Sequence, residues 1–189
     1  FFPSQNKGLS LLATFATFGV AFVVRPAGAL VFGHYADRLG RKGTLATVVL
    51  LMSLATTVIG VLPGYAAAGA VAPALLVLAR AAQGFSAGGE YASASSYLVE
   101  LAPDGKRGRY GGWTYFSVGV GLVTGAAMGL VASTALAPDN LSAWGWRIPF
   151  LLAAPLGIIG LYIRLKLEDS PAFSDLVERA ADVTSPLMV

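Results

Sequence analysis

Five apolar runs separated by short polar stretches dominate the chain, at about residues 10–32, 44–62, 73–99, 113–136 and 148–163. A bilayer core about 30 Å thick is crossed by roughly 20 mostly apolar residues in helical form, and the runs lie near or above that length. None alternates polar and apolar positions as a barrel strand does, and an open backbone in hydrocarbon leaves its N–H and C=O groups unpaired. Each run therefore predicts a transmembrane helix, and the expected fold class is an all-α integral membrane protein with five transmembrane helices. The second, fourth and fifth runs carry no charge, whereas the first contains Arg25 and the third contains Arg80 and Glu90.

Composition agrees with this reading. The 189 residues are 56% hydrophobic with a mean hydropathy of +0.68, and a water-soluble domain so composed would expose mostly apolar surface. The net charge of +3 is spread over turns between apolar runs and forms no stripe, which argues against a nucleic-acid partner. The chain has no cysteine and one histidine, so thiolate and histidine-rich metal sites are excluded and no metal or cofactor is expected. No G-x-S-x-G, H-E-x-x-H or phosphate-binding glycine loop occurs. An intramembrane enzyme would need Asp, His or Ser clustered at one depth, and His34 lies in a polar turn. No catalytic residue is identified, and an enzyme is not expected.

Charge in the flanks predicts orientation. Arg38, Arg41, Lys42, Lys106, Arg107, Arg109, Arg164 and Lys166 fall on one side, with only Lys7 and Arg147 on the other. By the positive-inside rule the first side is cytoplasmic, placing the N-terminus of this segment outside and its C-terminus inside. Trp144 and Trp146 then belong to the outer interface, Tyr110 and Trp113 to the inner one. The opening "FFPSQNKGLS" has no basic n-region or cleavage site and reads as the middle of a loop. A fragment is therefore expected, with at least one helix preceding it.

The stretch "GHYADRLGRK", residues 33–42, concentrates charge between the first two runs. It predicts a tight connection of about ten residues, in which Gly33 and Gly40 allow unusual backbone conformations or close approaches. Asp37, set among Arg38, Arg41 and Lys42, is placed to pair locally or to cap another helix. Basic residues that merely hold the loop inside would also account for the charge.

The ordered spacing of Gly33, Ala36, Asp37, Arg38, Gly40, Arg41 and Lys42 resembles the cytoplasmic signature between the second and third helices of the major facilitator superfamily, with Tyr35 where the pattern most often has leucine. "YLVELAPDGKRGRYGGW" is similar to a second pattern of that family, matched by Glu100, Pro103, Arg107 and Gly108. "FVVRPAGALVFGHYADRLGRK", "RAAQGFSAGGEY" and "WGWRIPFLLAAPLGIIGLYIRLKLEDSPAF" resemble its metabolite:proton symporter branch, which takes up small organic acids and zwitterionic osmolytes. The resemblance implies helices 2–6 of a twelve-helix fold. Residues 1–166 would be a partial N-terminal six-helix bundle and 167–189 the start of a central cytoplasmic loop. The first helix and the C-terminal half of the same transporter would be the missing partners. It also implies a secondary transporter in the bacterial inner membrane that moves a small substrate with a proton by alternating access. Its cytoplasmic gate would comprise Gly33, Asp37, Arg38, Gly40, Arg41, Lys42, Glu100 and Arg107, with Glu100 pairing with Arg41 or Arg107. A drug/proton antiporter and a sugar-type porter of the same superfamily are the nearest alternatives. A non-transporting membrane assembly or sensor subunit is a third, which the intramembrane charges disfavour.

Those charges are the candidate pathway residues. Each costs about 2.5–3.5 kcal/mol at membrane depth on insertion scales, so a cavity or a partner is expected for it. Helical projection puts Arg80, Gln83, Gly84, Ala87 and Tyr91 on one face, a plausible wall for a polar cavity unless Arg80 snorkels outward. Glu90 shares the next flank with Ser86, Ser93 and Tyr97. Burial disfavours the charged form of a carboxyl, so Glu90 is the first candidate for a proton site, or else a structural carboxyl bonded to a neighbouring helix. Arg25, ahead of a kink expected at Pro26, either meets a substrate carboxylate or snorkels inward. Gly84 and Gly88 in the third run, and Gly121, Gly125 and Gly129 in the fourth, are small-residue stripes suited to close helix packing. Pro149 and Pro155 are expected as kinks.

Overall fold

The computed structural model describes residues 1–3 and 6–166, without the side chains of Lys7 and Leu39. The expected cytoplasmic loop at 167–189 lies outside the described residues. The chain forms α1 (Lys7–Leu39), α2 (Arg41–Val61), α3 (Tyr65–Ala68), α4 (Val71–Glu100), α5 (Arg107–Ala135), α6 (Pro138–Ala143), a 3₁₀ turn at Gly145–Arg147, α7 (Ile148–Leu151) and α8 (Ala153–Lys166). Every regular element among the described residues is helical. Among the described residues, five segments are long and apolar enough to cross a membrane, namely Gly8–Arg38, Arg41–Val61, Val71–Glu100, Arg107–Ala135 and Gly145–Lys166.

The helices outrun the apolar stretches that predict them. At about 1.5 Å per residue, the 33 residues of α1 exceed a bilayer core by far. The expected ten-residue turn is consequently wrong: residues 33–39 are the last two turns of α1, and Gly40 alone separates α1 from α2. Hydropathy marks where lipid ends, not where the helix does, because Asp, Arg and His at the water interface still make backbone hydrogen bonds. Gly40 has φ 91° and ψ 156°, a conformation L side chains avoid, and this one residue makes the corner. Gly33 is inside α1, and a Cβ there would touch nothing within 4 Å, so it provides no close approach among the described residues. At the other end of α1 the Asn6 side chain caps the helix, accepting from Gly8 N at 2.9 Å.

The prolines expected as kinks act differently from one another. α1 continues through Pro26. Pro149 lies in the first turn of α7, where a missing N–H is harmless. The fifth span breaks at Leu152, between α7 and α8. Pro155 explains the position, since its ring excludes the helical carbonyl four residues earlier, at Leu151.

α4 is the central helix, packed on α1, α2 and α5, while α2 also packs on α8. The α1–α4 crossing is made by glycines: a Cβ on Gly84 or Gly88 would run into the backbone of Ala21 or Arg25, and one on Gly28 into that of Phe85. The stripe of Gly121, Gly125 and Gly129 makes no such contact, a Cβ at each having nothing within 4 Å. α5 stands at the edge of the bundle with only Thr114 buried, and most of its large apolar side chains are exposed. A buried apolar cluster joins Ile59 and Leu62 to Leu76 and Ala79, with Phe1, Phe2 and Phe150 against it. Arg147 ties this end together, donating to the carbonyls of Leu62 at 3.2 Å and Ala143 at 2.9 Å.

Candidate functional site

A cavity of about 680 Å³ opens between α1, α4, α5 and α8. Its polar lining is Arg25 from α1, Glu90 and Tyr91 from α4, Thr114 and Ser117 from α5, and Arg164 from α8, on walls otherwise of alanine, glycine, leucine, valine and proline. Gly88 lets the backbone of α1 at Arg25 rest on α4, which brings Arg25 to the helix that carries Glu90.

Glu90 crosses to α8, where its Oε1 accepts from Arg164 Nη2 at 2.8 Å, with side-chain exposures of 36% and 19%. Arg25 lies over the Phe22 ring, 4.2 Å from its centroid, and no carboxylate among the described residues pairs with it. Thr114 Oγ1 is buried without a hydrogen-bond partner, and Ser117 Oγ donates to Thr114 O at 2.7 Å. Tyr91 meets Tyr115 edge-on at 6.2 Å. The cavity thus holds two guanidiniums against one carboxylate, a charge balance that suits a carboxylate-bearing ligand. Ser86, Ser93 and Tyr97, on the flank that carries Glu90, are buried and do not line the cavity, and Ser86 Oγ donates to Val48 O of α2 at 2.5 Å.

The face projected from Arg80 to Tyr91 is divided. Ala87 and Tyr91 line the cavity, whereas Gly84 is a packing point against Ala21. Arg80 and Gln83 belong to a separate link: Arg80 Nη1 donates to Gln83 Oε1 at 3.0 Å, and Gln83 Nε2 to Thr56 Oγ1 of α2 at 2.7 Å. The Arg80 guanidinium sits over Phe18 at 4.3 Å, and its Nε is buried without a partner. One helical face can serve both purposes because about 15 Å of axis separates Arg80 from Glu90, and α1 crosses between them. Arg80 is half-buried, with its guanidinium turned to Gln83 and Phe18.

At the end where α1 meets α2, Arg41 clasps Glu100 of α4. Arg41 Nε donates at 3.0 and 3.1 Å to the two carboxylate oxygens, and Nη2 donates to Oε1 at 2.6 Å. Asp37 stands 3.8 Å from Arg41 Nη2 and is 71% exposed, so it pairs locally, and among the described residues α2 has no side-chain cap. Arg38 closes the last turn of α1, where a cation complements the helix dipole. Lys42 follows in the first turn of α2, and Arg107 opens α5. Arg164, Thr114 and Ser117 are the lining residues that sequence reasoning missed. Arg164 reads as one more cytoplasmic flank charge, and nothing in the sequence distinguishes Thr114 from other threonines. Among the described residues no group of His, Asp or Glu is placed to hold a metal.

A family model described as "Sugar (and other) transporter" matches residues 2–185. The proline/betaine transporter of Salmonella typhimurium is 47% identical over 179 residues, which cover 95% of this chain and 36% of that protein. The glycine betaine/proline/ectoine/pipecolic acid transporter OusA of Dickeya dadantii shows the same identity and coverage. The inner membrane metabolite transport protein YhjE of Escherichia coli is 43% identical, covering 99% of this chain and 42% of its own length. The chain thus spans 36% to 42% of the length of these relatives. Among solved structures, the xylose transporter XylE from E. coli in a partially occluded inward-open conformation superposes with a TM-score of 0.78 at 20% identity, over 93% of this chain and 42% of that one. A D-xylose–proton symporter superposes with a TM-score of 0.70 at 18% identity, over 98% and 46%. At these identities the structural likeness speaks for the fold alone.

Proposed function

The chain belongs to the sugar (and other) transporter family of the major facilitator superfamily, and from that premise we propose that it supplies part of a secondary transporter that takes up a small carboxylate-bearing or zwitterionic metabolite together with a proton. The observation that carries this reading is the cavity, where Arg25, Arg164 and Glu90 face one another inside a bundle otherwise built for lipid. Such charges are costly at membrane depth and are found where a pathway uses them. The names of the relatives point the same way, since proline and betaines carry a carboxylate. Arg25 is the residue proposed to meet that carboxylate, and Glu90 the one to carry the proton.

Alternating access would come from rocking two helix bundles about a midplane site. Arg41, Glu100 and Asp37 form the proposed latch on the cytoplasmic side, and the Arg80–Gln83–Thr56 link stiffens α4 against α2 away from it. The basic flanks support a cytoplasmic C-terminal end and an external N-terminal segment in a bacterial inner membrane.

The test uses the longest natural reading frame containing this segment, reconstituted in lightly buffered liposomes. Glycine betaine, proline and a dicarboxylate are added in turn while external pH and labelled uptake are followed. Uptake with external alkalinisation is expected for at least one of them. Uptake without a pH change would eliminate proton coupling, and no uptake of any carboxylate ligand would overturn the substrate class.

A further inference from the structure

Cations in this bundle lie against ring faces. Arg25 sits over Phe22 at 4.2 Å, Arg80 over Phe18 at 4.3 Å and Arg147 over Trp146 at 4.4 Å. Among the described residues, Tyr91 is the one aromatic side chain that lines the cavity. Two guanidiniums share those walls and neither covers its ring, since Arg25 is on Phe22 and Arg164 is on Glu90. The ring also stands clear of its own helix. Ala87, four residues before it, and Ala94, three residues after it, both line the cavity, so its neighbours on that helical face are methyl groups. Tyr115 of α5 meets Tyr91 at an interplanar angle of 75° with centroids 6.2 Å apart. An edge-on contact of this kind covers at most one of the two ring faces, and Tyr91 is 46% exposed.

We propose that Tyr91 is the subsite for the cationic pole of the transported metabolite, and that its ring face selects an ammonium whose hydrogens are replaced by alkyl groups. This rests on the transport reading above and narrows its substrate from any carboxylate to a zwitterion with an alkylated nitrogen. The walls offer such a pole no better partner. Glu90 is the single carboxylate among the described lining residues, and Arg164 holds it at 2.8 Å. Arg25 and Arg164 repel a cation. A ring face attracts one through its quadrupole, and most strongly where water is excluded, as walls that include Pro26, Leu98 and Val118 favour. An alkylated ammonium spreads its charge onto carbon, so it gains from the ring and rests on Ala87 and Ala94 without losing a hydrogen bond. An ammonium with N–H groups would leave donors unpaired against the same methyl groups. Arg25, proposed above for the carboxylate, comes from α1, whose backbone rests on Gly88 about one turn before Tyr91. The two poles of one small molecule are thereby met from adjacent helices.

The experiment measures equilibrium binding to the purified full-length protein of glycine betaine and of 3,3-dimethylbutyrate, its isostere with carbon in place of the charged nitrogen. Tyr91→Leu should weaken glycine betaine about tenfold and change the isostere by less than about twofold. Tyr91→Phe keeps the ring and should stay within about threefold of wild type for glycine betaine. Three fluorines on the ring of Tyr91→Phe withdraw electron density from its face at nearly constant size, and should weaken glycine betaine about tenfold relative to Tyr91→Phe itself. This last comparison needs neither the isostere nor the loss of an aromatic ring, so it decides the matter even where Tyr91→Leu does not fold. Fluorination without effect, or a Tyr91→Leu protein that binds both ligands equally more weakly, overturns the subsite and makes the ring an apolar wall. A Tyr91→Phe protein that loses as much as Tyr91→Leu also overturns it, by assigning the contact to the hydroxyl. Wild type that binds and takes up a dicarboxylate but not glycine betaine overturns the subsite and leaves the transport reading standing. Wild type that neither binds nor moves any carboxylate ligand overturns both.

Discussion

Replacing Gly84 by alanine adds one carbon where α4 presses on α1. A Cβ there meets the carbonyl oxygen, carbonyl carbon and Cα of Ala21 at separations real side chains do not adopt. The obstructing atoms are all backbone, so no rotamer change relieves the clash and the two helices must part. Overpacking of this kind costs about 1–3 kcal/mol, offset by up to about 1 kcal/mol because alanine is the better helix former. With the full offset, a net loss of up to roughly 2 kcal/mol is expected. Gly88→Ala should behave alike, because its Cβ meets the Arg25 carbonyl. Gly19→Ala on α1 is the control: nothing lies within 4 Å of its Cβ, so only the propensity gain remains. The assay is the melting temperature of the full-length protein in detergent, with the three variants run side by side. Gly88 also lines the cavity, so the variant that parts α1 from α4 should weaken glycine betaine binding as well. If Gly84→Ala and Gly19→Ala melt together with wild type, the glycine crossing is not what joins α1 to α4.

Other consequences follow from single contacts. Glu100→Gln removes the charge from the forked pair with Arg41, whose side chains are 23% and 18% exposed. If the pair is the latch proposed above, the closed cytoplasmic side should lose about 1–2 kcal/mol, a five- to thirty-fold shift in population, read as faster labelling of a cysteine placed in the cavity; unchanged labelling would refute the latch. Asp37→Asn should change the melting temperature little, since a pair at 3.8 Å with a 71% exposed carboxylate contributes about 0–1 kcal/mol; a large loss would mean that Asp37 has a stronger partner than Arg41. Gln83→Leu and Thr56→Val each break the link from α4 to α2 and should couple in a double-mutant cycle by about 0.5–1.5 kcal/mol, with additivity as the contrary result. The chain has no cysteine of its own, so single cysteines at Asn6 and Lys106 report topology directly. Impermeant reagent should reach the first from outside and the second only from inside, and labelling from one side would refute the proposed orientation.

Most of the fold was legible in the amino-acid order, and the reason is the solvent. In hydrocarbon each span must satisfy its own backbone, so an apolar run long enough to cross implies a helix whatever its neighbours do. The five spans, the central place of charge in Arg25, Arg80 and Glu90, and the family signatures are all local information of this kind. The helix ends were not legible, because the residues after Phe32 leave lipid and continue the same helix in water. The two glycine stripes were also alike on paper. Gly84 and Gly88, like Gly121 and Gly125, stand four residues apart, and only the packing shows that α1 presses on the first pair while the second faces outward.

The charged cavity was half legible. Helical projection put Arg80 and Tyr91 on one face but could not register that α1 crosses it between them. Arg164 is 74 residues from Glu90 along the chain, and a flank arginine carries no mark of the helix it will reach. Sequence by itself determined which segments enter the membrane and which of them bear charge, because transfer into lipid is a property of each segment alone. Which charges meet was decided only by the tertiary structure, because an ion pair depends on how two separately stable helices lie against one another.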